Sequence, residues 1–298
     1  MAEDSSFVVV GLGEVLWDVL PEGKQLGGAP ANFTFHVNTL GAHGKIVSCL
    51  GYDALGREAR EFLQVHNLTV DSIADDPAHP TGTVSVALDD TGQPTYTIHE
   101  NVAWDFLPFN ASHARLASQA DAVCFGTLAS RNSHSRESIR RFLDATMPRC
   151  LRVFDVNLRQ QFYEREIIRD WMERADVLKL NEDELPVVAA LLNISGSTKE
   201  RMERLIDEYA LQAVALTRGA RGSVFITPET MEVHHGIRVG GLADTVGAGD
   251  AFTAVLVMGL LQEWPADKIS KCANELAAFV CSQPGAMASH PEDLVSVY

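Results

Sequence analysis

Six short apolar runs, separated by longer amphipathic stretches, constrain the fold of this 298-residue chain more than any other feature. They are VVV at 8–10, KIVSCL at 45–50, DAVCFG at 121–126, LRVFDV at 151–156, DVLKL at 176–180 and QAVALT at 212–217. Strands with so little polar alternation belong in a parallel sheet covered on both faces. The stretches between them read as helices at 30–40 (closed by Gly41), 54–66, 133–146 and 199–209. Strand and helix in alternation predict βαβ units and a doubly wound α/β sheet with helices on both faces. No internal repeat or Gly/Ser/Pro-rich linker divides the chain, so a single domain over 1–298 is expected, with room for a small appendage.

Residues 81–103 break the rhythm. Two period-2 runs joined by DDTGQ read as an antiparallel hairpin, and the segment 14–26, which lacks helical periodicity and contains PEG, supplies further strands to the same small sheet. The appendage reads either as a lid, formed by about 14–28 and 81–105, or as an edge hairpin.

Charge excludes several partners. With 24 Lys and Arg against 40 Asp and Glu, the net charge of -16 repels nucleic acids and anionic membranes, and no basic run offsets it. The acidic N-terminus does not resemble a secretory signal, and the longest apolar stretch, Ala251 to Leu261, is too short to span a bilayer. The five cysteines are scattered without a CxxC pair, which reads as buried free thiols in a reducing compartment. A cytoplasmic protein is expected.

The strongest local signal is DTVGAGDAF at 244–252, leading into an apolar helix. Gly247 and Gly249 flank Ala248 and leave backbone amides open at a helix N-terminus, where orphan N–H groups and the dipole favour an anion. Asp250 in that turn is expected to stay ionised and to serve as a general base beside a bound phosphate; an acidic residue in the first helical turn satisfies the same spacing. Other nucleotide motifs fail by position. The third glycine of a dinucleotide fingerprint falls on Leu16, and the Gly-Lys pairs at 23–24 and 44–45 lack the first P-loop glycine, since those positions hold Asp18 and Thr39.

Five landmarks in order, GGAPANF at 27–33, DVNLR at 155–159, NEDE at 181–184, TRGARG at 217–222 and DTVGAGDAF, resemble the ribokinase-like (PfkB-type) carbohydrate kinases, and most closely the fructokinases. The resemblance covers nearly the whole chain. It implies a ribokinase-like fold with a β lid, and ATP-dependent transfer of a phosphoryl group to a primary hydroxyl of a small sugar, fructose above all. Asp250 then corresponds to the catalytic base and the amides of Ala248, Gly249 and Asp250 to the anion hole, with Gly247 in the same catalytic turn. Asp18, Gly27, Gly28, Asn32, Asn157 and Arg159 correspond to the sugar site, where Arg159 suits an ATP phosphate or a substrate carboxylate equally. Thr217, Gly219, Gly222 and Asn274 correspond to the nucleotide site, although the same TRGARG residues suit a plain turn between strands 212–217 and 222–226.

Asn181 and Glu184 fit the family's NxxE pattern, which holds magnesium through water; without the resemblance NEDE reads as a solvated acidic helix start. Asp244, Val246, Ser282 and Gly285 match the loop that binds a monovalent cation such as potassium. Tyr96, Ile98 and Trp104 are implied to close over the sugar, and the lid sheet to pair into a homodimer. The alternatives are a 2-keto-3-deoxygluconate kinase using Arg159 with Arg131, a ribokinase-type activity, and a sugar sensor without turnover. Apart from Trp104, the stretch HENVAWD at 99–105 has no role in this reading beyond its place at the end of the lid.

Overall fold

The computed structural model describes residues 6–20, 23–88, 94–237, 241 and 244–290. Its strands are β1 (Val8–Leu12), β2 (Leu16–Leu20), β3 (Gly23–Gly27), β4 (His43–Gly51), β5 (Ile73–Asp76), β6 (Gly82–Leu88), β7 (Pro94–Ile98), β8 (Ala122–Phe125), β9 (Leu151–Asp155), β10 (Val177–Asn181), β11 (Ala213–Thr217), β12 (Ser223–Ile226) and β13 (Met231–His234). The helices are α1 (Ala29–Thr39), α2 (Ala54–Val65), α3 (Ala111–Gln119), α4 (Ser133–Asp144), α5 (Arg165–Met172), α6 (Glu184–Leu191), α7 (Thr198–Tyr209), α8 (Ala248–Leu261) and α9 (Ala266–Cys281).

Nine strands form the main sheet in the order β13-β12-β11-β10-β9-β8-β1-β4-β5. All pairings from β5 to β11 are parallel, and the edge strands β12 and β13 are added antiparallel. Both faces are apolar, as the runs require. Val9, Cys124, Val153, Val177 and Ala215 pack with Val37, Val255 and Leu276 of α1, α8 and α9. Their neighbours Val10, Phe125, Phe154, Leu178 and Leu216 pack with Ile139, Trp171, Val188 and Leu205 of α4 to α7. The fold is therefore the expected doubly wound α/β sheet with helices on both faces.

The smaller sheet has the order β3-β2-β6-β7, built from the 14–28 segment and the hairpin after residue 81. The two halves join through the parallel pair β2 and β6. The DDTGQ turn at 89–93 and the first two residues of PEG lie outside the described residues. The hairpin strands end at Ile98, and the chain continues as a bend and a short 3₁₀ turn, Ala103–Phe106, rather than as strand. Four cysteines are buried, Cys281 is partly buried, and all five are free thiols. No helix among the described residues is long and apolar enough to cross a membrane.

Candidate active site

The chain reverses direction across the sheet at β1, which has β4 on one side and β8 on the other. Open α/β sheets bind ligands at such a switch point, outside the carboxyl ends of the strands. A cleft of about 690 Å³ lies there, lined by Glu14 after β1, Gly126 and Thr127 after β8, Asp155 and Asn157 at the end of β9, Asn32 of α1 and Asp250 of α8. The small sheet forms the opposite wall with Leu16, Asp18, Val84, Tyr96 and Ile98.

Asp250 stands in the first turn of α8, buried, and its Oδ2 accepts a hydrogen bond from Asn32 Nδ2 at 2.9 Å. Helix polarity does not hold its carboxyl in the ordinary carboxylate range. Burial pushes its pKa up to about 7 and the nearby Asp155 charge adds to this, outweighing Asn32, Lys179 and Arg159, which pull it down. A carboxyl near 7 is well placed for a general base. The turn itself requires glycine at 247, where φ is +81° and an added Cβ would come within 2.6–2.8 Å of Ala286. The amides of Gly249 and Asp250 have no acceptor within α8, while that of Ala248 turns back toward Thr245 O at 3.4 Å. Gly247→Ala is expected to destabilise the fold by about 1–3 kcal/mol and to reduce turnover, checked by chemical denaturation and steady-state assay of the same preparation.

The sugar-site candidates converge on the same space. Gly28 has φ +114° and its Cβ would lie 2.4 Å from Glu14 O, so the chain passes from β3 into α1 only with glycine there. Gly27 faces Asp18, whose Oδ2 would be 2.6 Å from a Cβ. Two polar atoms are buried without a protein partner, Asn32 Oδ1 and Asn157 Nδ2, and both residues line the cleft. Asn157 adopts φ +45°, a strained conformation of the kind concentrated at functional sites. Arg159, exposed at the rim, exerts its charge on Glu14, Asp18 and Asp250 alike. Glu14, absent from the sequence reading, is buried, with its carboxyl raised by that burial and hydrogen-bonded by the amides of Glu14 and Ala29 at the uncapped start of α1.

Beneath the turn lies a second group that the sequence reading missed. Lys179 Nζ donates to Asp155 Oδ1 at 2.9 Å, Thr253 Oγ1 of α8 donates to Asp155 Oδ2 at 2.8 Å, and a Cβ on Gly249 would be 3.1 Å from Lys179 Nζ. Burial alone would pull the lysine pKa down; Asp155, Glu184 and Asp250 more than offset it and hold it above the ordinary value. The signal was present in VLKLN, since a lysine inside an apolar strand must be paired.

NEDE is only half solvated. Glu182 is at the surface, paired with Arg221, whereas Glu184 is buried and its carboxyl raised by that burial. Asn181 Oδ1 accepts from the amides of Asp183 and Glu184, and Glu184 Oε2 accepts from the Asn181 amide, a reciprocal cap on α6. Glu184 Oε1 also accepts from the amide of Leu158, which anchors the loop bearing Asn157 and Arg159. Among the described residues no cluster of three His, Cys, Asp or Glu could hold a metal directly. With both Glu184 oxygens already accepting amides and an ammonium nearby, Asn181 and Glu184 fit a divalent ion held through water and not by direct coordination.

The Asp244–Val246 and Ser282–Gly285 segments meet, through Asp244 N to Cys281 O and through Gly247 against Ala286. Ser282 Oγ caps its own helix by donating to Phe279 O.

TRGARG forms the β11–β12 turn, with Thr217 paired to Ser223 and positive φ at Gly219 and Gly222. Space opens beside Gly219, while at Gly222 a Cβ would meet His234 O. Asn274 of α9 donates through Nδ2 to Ser223 Oγ and Ser270 O, bracing its helix to β12. Tyr96 and Ile98 line the cleft, but Trp104 does not: it is 1% exposed in the main core, because the chain turns inward after Ile98. Arg131 is held by Asp105 and is not among the residues that line the cleft, whereas Arg159 is.

The family model for pfkB family carbohydrate kinases matches residues 14–293. The putative sugar kinase of Pyrococcus horikoshii is 30% identical, over 98% of this chain and 95% of that one, and its crystal structure superimposes with a TM-score of 0.83 over 98% and 97% of the two chains. The fructokinase of Salmonella typhimurium is 30% identical over 94% of this chain and 95% of its own. A double mutant of Vibrio cholerae fructokinase, solved with fructose, ADP and potassium, is 25% identical with a TM-score of 0.77 over 98% and 97% of the chains.

Proposed function

The chain belongs to the pfkB family of carbohydrate kinases, and from that premise we propose that it transfers the γ-phosphoryl group of ATP to a primary hydroxyl of a neutral sugar, fructose, to give fructose 6-phosphate. The observation that carries the choice of a neutral sugar is the charge of the cleft. Glu14, Asp18, Asp155, Asp244 and Asp250 line it, Asp155 already paired with Lys179 beneath, and Arg159 is the one cation among the described lining residues. An anionic sugar would meet net repulsion there, whereas hydroxyls can both donate to carboxylates and pair with Asn32 Oδ1 and Asn157 Nδ2, which have no protein partner. This disfavours 2-keto-3-deoxygluconate and phosphorylated sugars.

In the proposed reaction the acceptor hydroxyl sits beside Asp250, with Asn32 orienting the carboxylate. Asp250 takes the hydroxyl proton as the oxygen attacks the γ-phosphorus, and ADP leaves with the bond electrons. Charge on the transferred group is met by the Gly249 and Asp250 amides at the α8 N-terminus. Magnesium supplies charge neutralisation on the nucleotide phosphates, with Asn181 and Glu184 as the residues that would hold its water shell. Potassium is proposed for the loop of Asp244, Val246, Ser282 and Gly285, and the nucleotide for the surface around Thr217, Gly219 and Gly222, with Asn274 behind it. The small sheet acts as a lid that excludes water from the γ-phosphate, and its exposed Val19, which does not line the cleft, suits pairing with a second copy. The protein works in the cytoplasm.

Magnesium-dependent ADP release across fructose, ribose, 2-keto-3-deoxygluconate, adenosine and fructose 6-phosphate tests the reading. Fructose is expected to give the highest kcat/KM and the two anionic sugars turnover at least about tenfold lower, the scale of one unfavourable charge contact. A preference for 2-keto-3-deoxygluconate would overturn the neutral-sugar assignment, and no turnover with any sugar would favour a sensor.

A further inference from the structure

The stretch HENVAWD, which apart from Trp104 the kinase reading leaves unused, is organised around one buried side chain. Arg131 is 4% exposed and donates through Nε and Nη2 to the two oxygens of Asp105, itself 2% exposed, both at 2.8 Å. Nη2 also donates to His99 O, at the point where the chain leaves β7. The guanidinium carbon Cζ lies 4.0 Å from the Trp104 ring centroid and 4.7 Å from that of Phe162. His99, Trp104 and Asp105 belong to the root of the small sheet; Phe162 belongs to the loop that begins with Asn157 and Arg159. The same loop touches the sheet a second time through Gln160 Nε2, which donates to Tyr96 O at 2.8 Å.

We propose that Arg131 is a positioning residue that locks the root of the small sheet to the 157–163 loop, so that the sheet and the sugar ligands Asn157 and Arg159 move as one unit. The guanidinium suits this because its fork meets a carboxylate at two points while both of its faces remain available for stacking. Lysine keeps the charge but offers neither the fork nor the stacked plane. Trp104 and Asp105 are then understood as the receiving half of the lock, which is why a tryptophan in a stretch next to the cleft points away from it. The inference rests on the sugar-kinase reading for its kinetic readout only.

The test compares wild type, R131K, F162L and the double variant, all as the full chain. With fructose and magnesium ATP, or whichever sugar of the panel wild type turns over, R131K and F162L are each expected to raise the KM for sugar about tenfold, with KM for ATP changed less than about twofold, and the double variant to be no worse than R131K alone. A purely structural arginine would lower Tm and leave the KM values alone. Hydrogen exchange of the ligand-free protein gives an answer independent of any substrate: R131K is expected to lose protection both at 94–98 and at 157–163. F162L keeps the Asp105 ion pair and decides the matter should R131K fail to fold. Unchanged sugar KM in folded variants, additive effects in the double variant, or loosening confined to 99–105 would each overturn the proposal. Absence of turnover in wild type would instead count against the kinase reading and leave the exchange result to judge the lock.

Discussion

Asp250→Asn is expected to lower kcat by about 10²–10⁴-fold while making the folded protein more stable at pH 8 than the wild type. The two effects share one cause. The carboxyl pKa is 3.8 in the unfolded chain and pushed up to about 7 in the fold, so the native state binds this proton more tightly. Folding therefore loses stability as pH rises from 3.8 to 7, by on the order of 4 kcal/mol at most, and the deficit persists above 7. An amide removes the ionisation and with it the deficit. Melting curves at pH 4, 6 and 8 check this: the variant's advantage should grow with pH and vanish near pH 4. In the wild type, kcat/KM should rise through pH 7 as the base deprotonates. A D250N protein that is inactive but no more stable at pH 8 would mean that the charged form is better solvated than its burial suggests.

The second large effect is expected at Lys179. Lys179→Met leaves Asp155 as a buried charge without its counter-ion, an arrangement that costs about 3–5 kcal/mol. For a chain of this size that lowers Tm by on the order of 10 °C. The lysine also helps hold the Asp250 pKa down, so its loss should move the acid limb of the pH–activity profile to higher pH. Adding Asp155→Asn removes the stranded charge and with it a charge that raises the Asp250 pKa, so the double variant should regain most of the lost stability and bring the acid limb back toward lower pH. Calorimetry and pH-dependent kinetics on the three proteins separate a stabilising ion pair from one that also tunes the base.

How much was legible in the sequence depends on what each residue type can tolerate. Parallel strands buried on both faces have to be apolar throughout, so the runs at 8–10, 151–156 and 212–217 declared themselves, within a residue or two of β1, β9 and β11. The paired glycines of GAGD could be read because few other backbones approach a ligand so closely. The Asp250 pKa could not, because desolvation depends on what α1 and β9 bring alongside from 218 and 95 residues away in the chain. NEDE looked like surface because three acids in four residues usually are; only the fold turns Glu184 inward to cap Asn181 and grip Leu158. Arg131 and Asp105 are ordinary residues apart, and their meaning arises from a contact that no local pattern encodes. The lid resemblance implies a place for Trp104 over the sugar, but an inward turn of the backbone puts it in the core.

The position of β1 between β4 and β8 also has a consequence for how the chain is made. Its first residue, Val8, donates its amide to Asp121, 113 residues downstream, and no hairpin can satisfy either edge of the strand. During synthesis β1 leaves the ribosome long before β8, and it cannot be buried on both sides until β8 has emerged. Pairings between such distant segments form slowly, because loop closure has to precede the contacts that reward it. Until then VVVGL is an unpaired apolar edge, the kind of surface that chaperones recognise in a nascent chain.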